Sequence, residues 1–276
     1  VKLNFTGVIG RYTREYDLVK WISAIENSNE IQRMISTSGT EAGFQLLDES
    51  HGMFVTSKEH GSFGVGVRKT TTANEGKIGA RVIPSFSLFC PRPGRKTIAS
   101  EIIEKIGVTE RNAFKALIAP FIDAYFRSSL LIGLFPEMNA QNVLVELDPE
   151  DFSISVVLRD TGDFFKDLSV RKQNRLHTNF VDYKSVERDL VNDFYQRRSF
   201  AFDFKLGHYI VLPLIDQLES ELLLDRQVLL GLCKAHVALI DGAPDYFDSP
   251  DRWYRFPKVE GADRGDYETV PNPDLR

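Results

Sequence analysis

The stretch Glu137-Met138-Asn139-Ala140-Gln141-Asn142 runs into Val143-Leu144-Val145-Glu146-Leu147. It returns through Ile154-Ser155-Val156-Val157-Leu158 to Arg159-Asp160, and its reading decides the fold. Two β-branched runs flank the polar, proline-containing turn Asp148-Pro149-Glu150-Asp151, which predicts an antiparallel hairpin over 142–158. With the turn centred near residues 149 and 150, pairing puts Leu158 opposite about Gln141 and Asp160 opposite about Asn139. The open end of the hairpin then gathers Glu137, Asn139, Gln141, Asn142 and Asp160. Two carboxylates beside carboxamides are hard oxygen donors. Magnesium takes such ligands while keeping water and binding substrate phosphates. Protein kinases hold metal against ATP with a comparable Asn and Asp. The same residues also suit a polar hairpin mouth with a helix cap.

Upstream of the hairpin, Thr109 to Leu134 is apolar at Phe114, Leu117, Ile118, Phe121, Ile122, Tyr125, Phe126, Leu130 and Leu131, a helical period. Pro120 predicts a kink or two abutting helices, and Pro136 ends the run. Further back, Leu18 to Ile35 has helical spacing with a polar break at Asn27-Ser28-Asn29. Short strand candidates lie at residues 1–9, 44–47, 53–55, 62–68 and 79–89. The breaker cluster Cys90-Pro91-Arg92-Pro93-Gly94 marks the best boundary. Downstream of the hairpin, helices are predicted over about 185–197, 203–221 and 225–240, and an irregular end from Pro244 to Arg276. The expected fold class is α+β. A β-rich mixed region with an antiparallel sheet (residues 1–96) precedes a mainly helical region (97–276) that carries the hairpin, with a ligand cleft between them.

At 276 residues the chain is one large domain or two small ones, on a prior of roughly 150 residues per domain. Hydrophobic residues at 42% and a mean hydropathy of -0.21 fit a globular protein. No apolar run approaches the roughly 18 residues that span a bilayer, which argues against a membrane partner. Lys+Arg is 34 against Asp+Glu 39, a net charge of -5, which argues against a nucleic-acid partner. Cys90 and Cys233 are the only cysteines and cannot make a disulfide scaffold or ligate an iron–sulfur cluster. That usage points to the cytoplasm. Val1-Lys2-Leu3-Asn4-Phe5 already reads as a strand, so the expectation is a domain cut from something longer.

The 137–160 block resembles a Glu-Ala-His-Gly-Gln-Asn segment followed about 20 residues later by Arg-Asp. That pattern belongs to the siderophore synthetases that work independently of nonribosomal peptide synthetases, the IucA/IucC family. Other pieces agree in order: Lys2 to Arg14, Leu47-Asp48-Glu49 with Val65-Gly66-Val67-Arg68, Phe204-Lys205-Leu206-Gly207-His208, and Tyr267-Glu268-Thr269-Val270-Pro271-Asn272-Pro273. The resemblance spans nearly the whole chain and implies the C-terminal, palm- and thumb-like part of such an enzyme. It implies ATP and Mg2+ as cofactors, and a citrate-like carboxylate that is adenylated and then attacked by an amine or alcohol. It also implies a homodimer and an N-terminal domain that this chain lacks.

Carried over residue by residue, the resemblance makes Glu137 and Asp160 metal ligands, and Gln141 and Asn142 nucleotide-side amides. Arg14 resembles the Arg bridging carboxylate and phosphate, with Arg11 as the neighbouring candidate, and a bidentate guanidinium suits that task. Lys258 resembles a C-terminal Lys that contacts the carboxylate. Arg197 or Arg198 adds a cation, and His208 stands with them as a substrate-side candidate. For Arg68, Lys205 and His208 a folding role or a surface ion pair is the favoured reading. Asn139 departs from the family's His and can neither be protonated nor carry charge. The family's upstream His-Pro-rich segment is absent as well. These departures keep a second reading open, a non-catalytic nucleotide- or siderophore-binding domain of the same fold. A ferric-siderophore reductase is excluded by the cysteines. A kinase-like phosphotransferase is disfavoured by the lack of a G-x-G-x-x-G loop and an H-R-D segment.

Overall fold

The computed structural model describes residues 2–3, 7–9, 12–14, 18–38, 43–49, 51–57, 61–67, 81–180, 185–186, 194–256 and 267–276. Strands β1 (Lys2–Leu3), β2 (Gly7–Ile9) and β3 (Tyr12–Arg14) precede helix α1 (Leu18–Ser38). Strands β4 (Phe44–Leu46), β5 (His51–Ser57), β6 (Gly61–Val67) and β7 (Arg81–Pro84) follow. Helices α2 (Ile98–Ile106), α3 (Glu110–Ala113) and α4 (Ala119–Phe126) lead to β8 (Leu134–Phe135), β9 (Val143–Leu147), β10 (Ile154–Leu158) and β11 (Phe165–Asp167). Then come α5 (Leu168–Gln173), β12 (Ser185–Val186), α6 (Phe194–Ser199), α7 (Leu212–Leu222), α8 (Arg226–Leu239), β13 (Arg252–Arg255) and β14 (Glu268–Pro271). The fold is α+β.

The predicted hairpin is β9 and β10, and it forms the centre of a four-stranded sheet ordered β4-β10-β9-β7. Strand β4 runs parallel to β10, with Val156 opposite Phe44. Strand β7 runs antiparallel to β9, with Ile83 opposite Val145. The sheet is therefore mixed, and its outer strands come from the first 96 residues. Both faces of the hairpin are covered, which is why its strands read as unbroken apolar runs. Val143, Val145, Ile154, Val156 and Leu158 join the main core with α4, while Leu144 and Val157 pack with Leu47 on the other face.

The register differs from the expected one by two residues. Leu158 pairs with Val143, not Gln141. The cause is a longer turn: Phe152 N–H bonds the Asp148 carbonyl at 3.1 Å, Asp148 N–H bonds Ser153 at 3.0 Å, and Phe152 takes φ 59°. Because side chains alternate with a period of two, a two-residue slip leaves every residue on its predicted face.

Three other expectations are corrected. At Pro120, by contrast, abutting helices are present as expected: α4 starts at Ala119 directly after the π-helical turn Phe114–Ile118, and the run is helical from Glu110 to Leu131. A proline ring clashes with the carbonyl four residues earlier, here Ala116, and the wide π-helical turns of Phe114–Ile118 accommodate it. Pro213 follows the π-helical segment Phe200–Val211 in the same way. The helix expected over 185–197 starts only at Phe194, and Ser185–Val186 is a strand on β11. The end of the chain is not irregular: β13 and β14 pair over four residues, with Trp253 opposite Val270. The polar residues at Asn27 and Ser28 leave α1 unbroken because they face inward, both fully buried.

Candidate functional site

Strands β8 and β11 pair antiparallel, with Phe135 opposite Phe165, while β9 and β10 pair as described. The chain leaves β8 through residues 136–142 into β9, and leaves β10 through 159–164 into β11. Both connections thus meet at one end of the hairpin. In the first, Asn139 organises the loop. Its Oδ1 accepts from Asn142 N–H at 2.9 Å and Gln141 N–H at 3.2 Å, and its own N–H donates to the Glu137 carbonyl at 2.8 Å. This is the short side-chain turn that Asn favours.

In the second connection Asp160 adopts φ 58°, ψ 48°, a left-handed conformation that Asp tolerates better than most residues. The loop is bolted to α1: Asn27 Nδ2 donates to the Thr161 carbonyl and Thr161 Oγ1 to the Ala24 carbonyl, each at 2.8 Å. Arg159 joins the two connections by donating from Nη2 to the Gln141 carbonyl at 2.5 Å, and its Nε lies 4.0 Å from Asp160 Oδ2. Glu137 Oε1 receives the ammonium of Lys205 at 2.8 Å from the π-helical segment 200–211. The mouth therefore unites Glu137, Asn139, Gln141, Asn142, Asp160, Arg159 and Lys205, all of them partly or fully exposed.

The remaining sequence candidates are dispersed. Arg197 is half-buried with its guanidinium over the Phe165 ring at 5.4 Å, beside the second connection. Arg198 is a correction: it is buried, donates to Asp167 and to the Tyr246 carbonyl, and lies against the Tyr246 and Phe194 rings. A guanidinium committed in that way holds the fold and is withheld from substrate. His208 stacks on Trp253 at 4.8 Å. Arg14 lies on β3, opposite Gly7. Arg11 and Lys258 lie outside the described residues.

Sequence reasoning missed Arg159 and Lys205 as site members. Arg159 was in view as part of the Arg-Asp pair, and Lys205 as part of the block before the long helix. Only packing showed which way each one points. Among the described residues no group of three or more His, Cys, Asp or Glu could hold a metal. Glu137 and Asp160 do not fit an ion held by protein alone. As hard oxygen donors they are of the type Mg2+ takes, one or two at a time, with phosphate oxygens and water completing its shell.

The fold is that of the siderophore synthetases that work independently of nonribosomal peptide synthetases. The structural likeness is to three solved proteins in particular. The petrobactin biosynthesis protein AsbB from Bacillus anthracis str. Sterne matches at TM-score 0.73 and 16% identity, over 99% of this chain and 50% of that one. ATP-bound aerobactin synthetase IucA from a hypervirulent Klebsiella pneumoniae pathotype matches at 0.67 and 12%, over 91% and 48%. Aerobactin synthetase IucC from the same pathotype matches at 0.64 and 16%, over 82% and 40%. The chain spans about half the length of these structures. No family model and no curated protein sequence matches it.

Proposed function

We propose that the chain is the part of an ATP- and Mg2+-dependent siderophore synthetase that adenylates a citrate-like polycarboxylate and passes it to an amine or alcohol. The observation that carries this is the meeting of Glu137, Gln141, Asn142, Arg159 and Asp160 at one hairpin mouth, on a fold shared with siderophore synthetases. Glu137 and Asp160 would hold the magnesium ion that accompanies ATP, which offsets phosphate charge when bound. Asn139 fixes the backbone on which Gln141 and Asn142 offer their carboxamides to the nucleotide. Arg159 holds the two connections together through the Gln141 carbonyl. Arg14 or Arg11, with Arg197 and Lys258, would orient the substrate carboxylate toward the α-phosphorus. Its oxygen attacks there and pyrophosphate leaves; the amine or alcohol then attacks the acyl carbon and AMP leaves. Fixed cations matter because charge develops on the transferring phosphoryl group. The same proposal includes a cytoplasmic setting and a homodimer.

The test is ATP–pyrophosphate exchange in the full-length protein with citrate and Mg2+. Replacing Asp160→Ala should lower exchange by about 100-fold or more, since a metal ligand supplies several kcal/mol of transition-state stabilisation. Exchange unchanged by that substitution would refute the metal role. A second reading, a non-catalytic nucleotide- or siderophore-binding domain, draws support from Asn139, whose Oδ1 is spent on its own loop. Calorimetric titration with ATP and Mg2+ separates siderophore binding alone from the nucleotide-dependent readings, because no nucleotide heat is expected of it.

A further inference from the structure

The Glu137–Lys205 pair differs from an ordinary surface ion pair. The Lys205 side chain is only 16% exposed, yet Glu137 Oε1 is its one polar partner among the described residues. An ammonium carries three N–H donors, so two have no polar protein partner among the described residues. The rings of Phe200 and Tyr209 lie 5.4 Å from Nζ and shield its flanks. A cation placed among aromatic faces keeps its charge while losing bulk water, which strengthens its bond to an anion.

Around it, Arg159 bonds the Gln141 carbonyl and lies near Asp160. Asn139, between Glu137 and Gln141 along the chain, is neutral and has its oxygen occupied.

We propose that Lys205 is a specificity-determining cation of the mouth, taking a carboxylate of the polycarboxylate substrate and supplying the charge that Asn139 lacks. This rests on the synthetase function proposed above and names a substrate contact for it. Lys205 keeps Glu137 on one donor and offers the others to the incoming carboxylate, beside the magnesium ion that Glu137 and Asp160 would hold.

The experiment uses the full-length protein with Lys205→Met and Lys205→Arg. Citrate binding is read by calorimetry without turnover, and KM for citrate and for ATP is read by exchange. Lys205→Met should weaken citrate binding about 10- to 100-fold, the worth of one charge-assisted hydrogen bond, and leave the KM for ATP within about twofold. Lys205→Arg should recover most of the citrate affinity. A raised KM for ATP with citrate unaffected would move Lys205 to the phosphates and overturn the proposal. No change in either would make the pair structural and overturn it too. If Lys205→Met loses its thermal transition, Lys205→Arg decides alone: wild-type citrate affinity with weakened ATP binding refutes the proposal. Asp160→Ala in the same assay separates the two levels. Exchange lost there while Lys205→Met leaves citrate untouched refutes Lys205 only. Citrate binding lost in Lys205→Met while Asp160→Ala keeps its exchange refutes the metal assignment only.

Discussion

Among single residues, Asp203 carries a carboxyl held well above the ordinary carboxylate range. It is fully enclosed between the π-helical segment and the chain end, where Arg276 Nε lies 3.0 Å from both its oxygens and Ser199 donates to it at 2.8 Å. Burial pushes its carboxyl up to about 6 from the ordinary 3.8, although Arg276 and Ser199 pull the other way. The folded chain therefore holds a proton between those values that the unfolded chain has released. Stability from this group is fully present below the lower value and is lost as pH rises through about 6. A shift of that size corresponds to about 3 kcal/mol. Urea midpoints from pH 4 to 7 should show wild type losing stability relative to Asp203→Asn as pH rises. The opposite slope would mean that Arg276 outweighs burial. Arg198, expected as a substrate cation, has a protein partner at each of its three nitrogens, whereas Lys205 has one polar partner among the described residues.

At the scale of elements, the turn into β8 shows how tightly the site is framed. Gly133 sits at φ 63°, and a Cβ there would stand 2.5 Å from Arg171 Cγ and 2.8 Å from the Asp167 carbonyl. Arg171 cannot step aside, since it is buried and bonded to Glu30 and to the Ile132 and His177 carbonyls. Gly133→Ala should cost about 2 kcal/mol or more, measured as a lowered urea midpoint with an unchanged m-value. Wild-type stability would show that the turn can rotate freely. The hairpin carries the complementary lesson. Its two strands were legible because β-branched runs around a polar turn have few other outcomes. Its register was not, because a left-handed Phe152 lengthens the turn and nothing in the letters Asp-Pro-Glu-Asp announces that. Helix α1 was likewise legible by period. The inward role of Asn27 was not, since its partner Thr161 is far along the chain.

Across the whole molecule, the central sheet draws strands from both sides of the boundary expected near residue 96. Strands β4 and β7 flank the hairpin, and Ile31 and Met34 of α1 share its core. A fragment of residues 97–276 would expose both edges of the β9–β10 pair and much of that core. It should show no cooperative urea transition, whereas the full chain should. Sharp unfolding of the fragment would restore the two-region division.

The α+β class, the hairpin and the oxygen-donor types of Glu137, Gln141, Asn142 and Asp160 are legible in the chain's local pattern alone. These follow from local alternation and from what the side-chain types can bind. Only the tertiary structure decided that β4 and β7 close the sheet, that Arg159 ties the two connections, and that Lys205 faces Glu137 while Arg198 is buried on Asp167. Those choices depend on contacts between residues far apart in the chain, where burial and charge pairing select among side chains whose local patterns are alike.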